Sequence, residues 1–239
     1  AGLIKTSSLH GQASAEFIKA FTGIDNEQGI SLERGHQQIS SYRINPDYAK
    51  NNIQQQAGYS AEVAHVAREN ASNILNGNPE RISRTEDVAG YGNNHTVYDH
   101  VKTIDGKVIE NSASQMKFVS NIEGQLKKIA EGKGGGKNDH SRYLQGDLTL
   151  PSDQVEKAKE ICTREAERLQ QQAEYLESQG KYDLAAQKKQ SAKNYENLRD
   201  TKIKSASLTA EEAIEYRQSA KWATAKDITR VSHKAGVQG

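Results

Sequence analysis

Asp99, Gln115 and Lys117 are the residues whose types and spacing suit chemistry on a phosphodiester. Such cleavage needs oxygen donors, above all carboxylates, to hold a hard divalent cation. It also needs a nearby positive group to orient or activate the attacking water and to offset charge on the phosphorane. Asp99 can be the main metal carboxylate, Gln115 can offer its amide oxygen, the Met116 carbonyl can add another, and Lys117 can reach the water or the scissile phosphate. The cofactor expected from these groups is Mg²⁺ or Mn²⁺.

The element that must position them is a β-hairpin. Thr96 to Ile104 alternates like a half-buried strand, Asp105-Gly106 is a strong two-residue turn signal, and Lys107 to Val119 returns as a second arm. Gln115 and Lys117, two residues apart, point to one face of that arm. A two-residue turn sets Asp99 opposite Ser112, leaving Gln115 three residues and roughly 10 Å further along. The site therefore requires a bulge in the small, polar stretch from Asn111 to Ser114; without it Glu110, opposite Val101, becomes the competing acid. A helix capped by Ser60 is predicted before the hairpin, with Val63, Val66, Ala67, Ile74 and Leu75 on its apolar stripe and Glu62, His65 and Glu69 along the border. A short helix from Asn121 to Glu131 is predicted after it.

A helix, an Asp on a strand, a hairpin and then Gln-x-Lys resembles the PD-(D/E)xK nuclease superfamily in its Gln-x-Lys variant, over about residues 60–150. The resemblance implies a restriction-endonuclease-like core and a metal-dependent endonuclease. It sets the metal-binding Asp at Asp99, the Glu/Gln position at Gln115 and the Lys at Lys117. The family's helix-borne Glu falls on Glu62 or, less neatly, Glu69. The implied partner is nucleic acid, DNA before RNA, in a defence, mobile-element or toxin setting.

Further contacts to a phosphate backbone could come from Arg81 and Arg84, unless the neighbouring acids Glu86 and Asp87 take them, and from Lys133 and Lys137 in the Gly-rich loop 132–140. That loop matches neither the P-loop nor the dinucleotide pattern. Overall charge adds no pull: 32 Lys and Arg nearly balance 31 Asp and Glu. One cysteine, Cys162, excludes a disulfide scaffold and a zinc finger, and no apolar run reaches membrane-spanning length. A cytoplasmic protein is expected, with the tail 234–239 reading as the cut end of a longer chain.

The predicted fold class is α+β: a small mixed β-sheet with flanking helices. A polar extension (1–56) precedes the nuclease-like core (57–150), and a helical region (151–239) follows it. That region opens with an antiparallel hairpin, Val155 to Gln179 and Tyr182 to Asp200, whose narrow apolar seam suits a protein partner or self-association. A fresh helix then starts at Thr209 and Glu212, spaced as a capping box. Two other function classes stay open. One is a non-catalytic helical interaction module. The other is a metal-independent ribonuclease using His95, His100 or His140 as general base.

Overall fold

The computed structural model describes residues 2–88, 98–132 and 139–238, with side chains from residue 9 to residue 233 of these. Its fold is mixed α+β. Among the described residues β1 (Ile24–Asp25) and β2 (Ile30–Ser31) form a small antiparallel ladder before the short helix α2 (His36–Ser40), and the main sheet has six strands: β3 (Glu80–Arg84), β4 (His100–Ile104), β5 (Lys107–Val108), β6 (Ser114–Met116), β7 (Asp147–Leu150) and β8 (Ile203–Ser205). The path runs β3-β4-β6-β7-β8, with β5 continuing the hairpin from β4. β3, β4 and β6 pair antiparallel, and β6, β7 and β8 pair parallel.

Alternation along the strands covers both faces. Leu148 and Leu150 enter a core with α4 (Ile122–Ala130), α5 (Val155–Ser178) and α6 (Tyr182–Asn197). Met116 enters another with α3 (Ala49–Leu75) and α7 (Ala210–Gln218). Helix α3 can lie close because its inward positions are small: Ala57, Ala61 and Ala64 meet Met116 and α7, and Ala67 and Ala71 meet α1 (Gly2–Thr22) and α8 (Ala220–Gln238). Three side chains lock this helix in place. Asn70, buried, donates to the Ile82 carbonyl at 2.8 Å and accepts from the Ile82 N–H at 2.7 Å, so it occupies the open edge of β3 as a further strand would. Asn73 donates to the Glu80 carbonyl, and Arg68 reaches Glu212, Asp227 and the Ser207 carbonyl.

The hairpin carries the irregularity that the site needs. Its turn, with φ of 51° at Asp105 and 78° at Gly106, sets Thr103 opposite Val108 and Ile104 opposite Lys107. Continued, that register would bring Asn111 opposite His100, yet His100 pairs with Ser114, three residues on. The extra residues loop out around Asn111 at φ 62°. Ser112 closes the loop, its hydroxyl donating to the Ile109 carbonyl at 2.6 Å and accepting the Lys102 N–H at 3.0 Å. A short hydroxyl that satisfies backbone groups is what a bulge demands, because ladder bonds are lost there.

Several expectations are corrected. The second arm of the hairpin is not one strand but two pieces, β5 and β6. Ser60 is not a cap: it is buried inside α3, which starts at Ala49, so the 56/57 boundary falls within a helix. Residues 2–22 are a helix whose Ala13, Phe17 and Ala20 join the core of α3 and α8 rather than an extension. The 151–239 region contributes β8 to the sheet and is not purely helical. The helical hairpin and the Thr209/Glu212 capping box are present. No helix among the described residues is long and apolar enough to cross a membrane.

Replacing Asn70 with Ala strands two buried backbone groups of Ile82 and should cost about 2–4 kcal/mol in denaturant unfolding. His36, stacked on Tyr216 at 4.7 Å, is held neutral by burial, its pKa lowered to about 3. The unfolded chain therefore takes up a proton there below about pH 6.5 that the folded chain refuses, and stability falls as pH drops from about 6.5 toward 3. His36→Phe should keep the stack and make stability between pH 5 and 6 less steep by about 1.4 kcal/mol per pH unit, read from urea midpoints.

Candidate functional site

The offset in the hairpin delivers Asp99 to β6. Its N–H donates to the Ser114 carbonyl at 2.9 Å and its Oδ2 accepts from the Met116 N–H at 2.8 Å, so its backbone and carboxylate grip the residues on either side of Gln115. Thr85 steadies the same turn, its N–H and hydroxyl donating to the carbonyls of Asp99 and Tyr98. The Tyr98 ring comes close to Gly146, where an added Cβ would lie within 2.4 Å of it, so this glycine is needed for the close approach.

Glu62 reaches the cluster from α3. Burial first, and then the Asp99 charge, raise its pKa to about 8 against the opposing pull of Arg84. Asp99 is likewise raised, first by burial, while the Met116 N–H and the positive charges of Lys117 and Arg84 oppose the shift. The two half-buried carboxylates therefore sense each other. Arg84 is the counter-charge: it donates to Glu62 Oε2 at 2.8 Å and pairs with Glu86, and it is only 6% exposed. Lys117 continues the parallel ladder, its N–H donating to the Thr149 carbonyl, and its Nζ stands 4.7 Å from the ring centre of the buried Tyr143. Gln115 is buried on the same strand, and its amide has no hydrogen-bond partner among the described residues.

Charge thus links Glu62, Asp99 and Lys117 at one end of the β4–β6 pair, with Glu62 rather than Glu69 coupled to Asp99. Gln115, by contrast, alternates with Met116, which packs on α3, and pairs with Leu148 of the other core, so its side chain is not brought to Glu62. Glu69 lies further along α3, near Lys102, and Glu110 is exposed on the bulge. Arg84 is corrected from a phosphate contact to an internal ion pair, as the alternative pairing with neighbouring acids allowed. Arg81 spends its Nη1 on the carbonyls of Asn78 and Glu80. Lys133, Lys137 and His95 lie outside the described residues. His100 faces His65 with ring centres 5.2 Å apart, and burial lowers its pKa to about 3. His140 shares a 2.7 Å hydrogen bond with Gln125. Burial pushes the Cys162 thiol up to about 12, which excludes a thiolate nucleophile there.

Among the described residues no three His, Cys, Asp or Glu side chains are placed to hold a metal. The donors that fit one are the oxygens of the Glu62 and Asp99 carboxylates. All are hard oxygens, and a divalent cation would offset both the burial that chiefly raises the two carboxylates and the like charge that adds to it. No family model, curated protein or solved structure matches the chain.

Opposite stability effects are expected for the two signs of charge. Asp99→Asn keeps an acceptor for the Met116 N–H while removing a buried like charge, so it should leave the unfolding midpoint unchanged or raised. Arg84→Ala leaves Glu62 without its ion-pair partner and Glu86 with Arg34 alone, and should cost about 3 kcal/mol.

Proposed function

We propose that this chain is a metal-dependent nuclease that hydrolyses phosphodiester bonds of nucleic acid, with DNA as the first substrate to test. The observation that carries the reading is the three-residue offset, which brings Asp99 against β6 between the Glu62 carboxylate and Lys117. A hairpin whose only task was to be solvated would gain nothing from packing two carboxylates and two cations into a largely buried cluster, since such burial costs stability. Sites that must bind charge routinely accept that cost.

Glu62 and Asp99 would hold Mg²⁺ or Mn²⁺. The metal, when bound, supplies Lewis-acid stabilisation of the phosphoryl oxygens and lowers the pKa of bound water. Lys117, its ammonium held near the Tyr143 ring, donates hydrogen bonds toward the attacking water or a phosphate oxygen and offsets charge as the phosphorane forms. Arg84 holds Glu62 by its Nη2 and so fixes the approach of that carboxylate. The ribonuclease reading has less support, because a general base must meet substrate and exchange a proton near neutrality, whereas His100 is buried and held neutral down to about pH 3. The interaction-module reading is favoured by one observation: Tyr175 and Tyr182 are 66% and 68% exposed beside the turn of the α5–α6 hairpin.

Supercoiled plasmid incubated with the chain should be nicked in Mg²⁺ or Mn²⁺ and left intact in EDTA. Asp99→Ala and Lys117→Ala should each lower the rate by at least about 100-fold while the chain stays folded. Intact DNA in either metal would remove the DNase reading and turn the test to RNA. Cleavage of RNA that survives EDTA would favour the histidine mechanism, and cleavage of neither would leave the interaction module.

A further inference from the structure

Resting on the nuclease reading, we propose that Arg142 is the residue of this site that grips a phosphate of the substrate beside the scissile one. Ser141–Gln145 is a short 3-10 turn that leads into β7, the strand paired with β6. It carries Tyr143, whose buried ring is the platform for two cations: the Lys117 ammonium 4.7 Å from the ring centre and the Arg142 guanidinium 4.6 Å from it. The ring thus ties an exposed arginine to the lysine of the proposed reaction centre.

Arg142 is held but not neutralised. Its Nη1 donates to the Asp139 carbonyl at 2.9 Å and its Nη2 to the Tyr143 hydroxyl at 3.1 Å, both uncharged acceptors. Several other arginines are matched by acids: Arg34 by Glu86, Arg68 by Glu212 and Asp227, Arg164 by Glu123, Arg199 by Asp200. The Asp139 carboxyl is held low chiefly by hydrogen bonds from Ser141 and only secondarily by the Arg142 charge, and it makes no ion pair with Arg142 among the described residues. An exposed guanidinium pinned in one orientation, with its charge unspent, loses little side-chain entropy on meeting a phosphate and can bind it bidentately. Arg84, by contrast, has its charge consumed within the carboxylate cluster. The substrate backbone would run from Lys117 across Tyr143 to Arg142.

The experiment uses the full chain with a fluorescent 20-base-pair duplex. Binding is read by anisotropy in EDTA across a salt series, and cleavage in Mg²⁺ gives kcat and KM. Arg142→Gln, which can still hydrogen-bond, should raise Kd roughly tenfold, lower the slope of log K against log salt by about one, and act on KM more than on kcat. Arg142→Lys should restore the slope but not the full affinity, because an ammonium cannot reproduce the bidentate fork. Arg164→Gln, at an exposed and already paired arginine, serves as the control for general loss of charge. A folded Arg142→Gln chain that cleaves with wild-type Kd, slope and KM overturns this inference and leaves the nuclease reading standing. A wild-type chain that binds in an Arg142-dependent way yet never cleaves removes the nuclease reading and keeps Arg142 as a backbone contact. A wild-type chain that neither binds nor cleaves overturns both.

Discussion

The pairing of Asp99 with β6 exists only because the hairpin goes out of register. From Thr103 to Lys107 the two arms pair as a tight turn dictates, and from His100 to Ser114 they pair three residues later. Side chains on the unshifted ladder would leave Asp99 beside Ser112, roughly 10 Å from the Gln-x-Lys segment at the ordinary rise per residue. The shift is held by few atoms: Asn111 in a left-handed conformation, the Ser112 hydroxyl bridging Lys102 and Ile109, and the Asp99 carboxylate accepting the Met116 N–H. Asp99 is thereby both a product of the offset and one of its fasteners.

A bulge delivers only one carboxylate. The second comes from α3, and the placement of Glu62 depends on that helix being fixed along its length. Asn70 grips the edge of β3, Arg68 ties α3 to α7 and α8 through Glu212 and Asp227, and Glu62 closes the series on Arg84. α1 backs the same helix, with Phe17 and Ala20 against the stretch around Val63 and Ala67. The carboxylate cluster is unfavourable by itself, since burial raises the proton affinity of both Glu62 and Asp99. One deeply buried arginine and the surrounding packed helices offset that.

What could be read in advance was whatever depends on near neighbours in sequence. The Asp105-Gly106 turn, the Thr209/Glu212 capping box and the α5–α6 hairpin rest on contacts within a few residues of one another, and each is present. The need for a bulge near Asn111 was legible from simple geometry; that Ser112 would supply the closing hydroxyl was not. Residues 2–22 look polar because only one narrow stripe, Ala13, Phe17 and Ala20, is buried, and it is covered partly by α8, some 200 residues later. β8 is three residues between helices, too short to show alternation. Arg84 and Arg142 could not be ranked from sequence, since one is spent on Glu62 and the other spared only through the placement of Asp139 and Tyr143.

The most direct test of the account is metal binding itself, measured by calorimetric titration of Mn²⁺ into the chain without nucleic acid. One site per chain is expected, weakened at least tenfold by Glu62→Gln and by Asp99→Asn, with each variant folded. A chain that binds no Mn²⁺ at millimolar concentration, or binds it equally well without either carboxylate, would contradict the claim that the offset assembles a cation site.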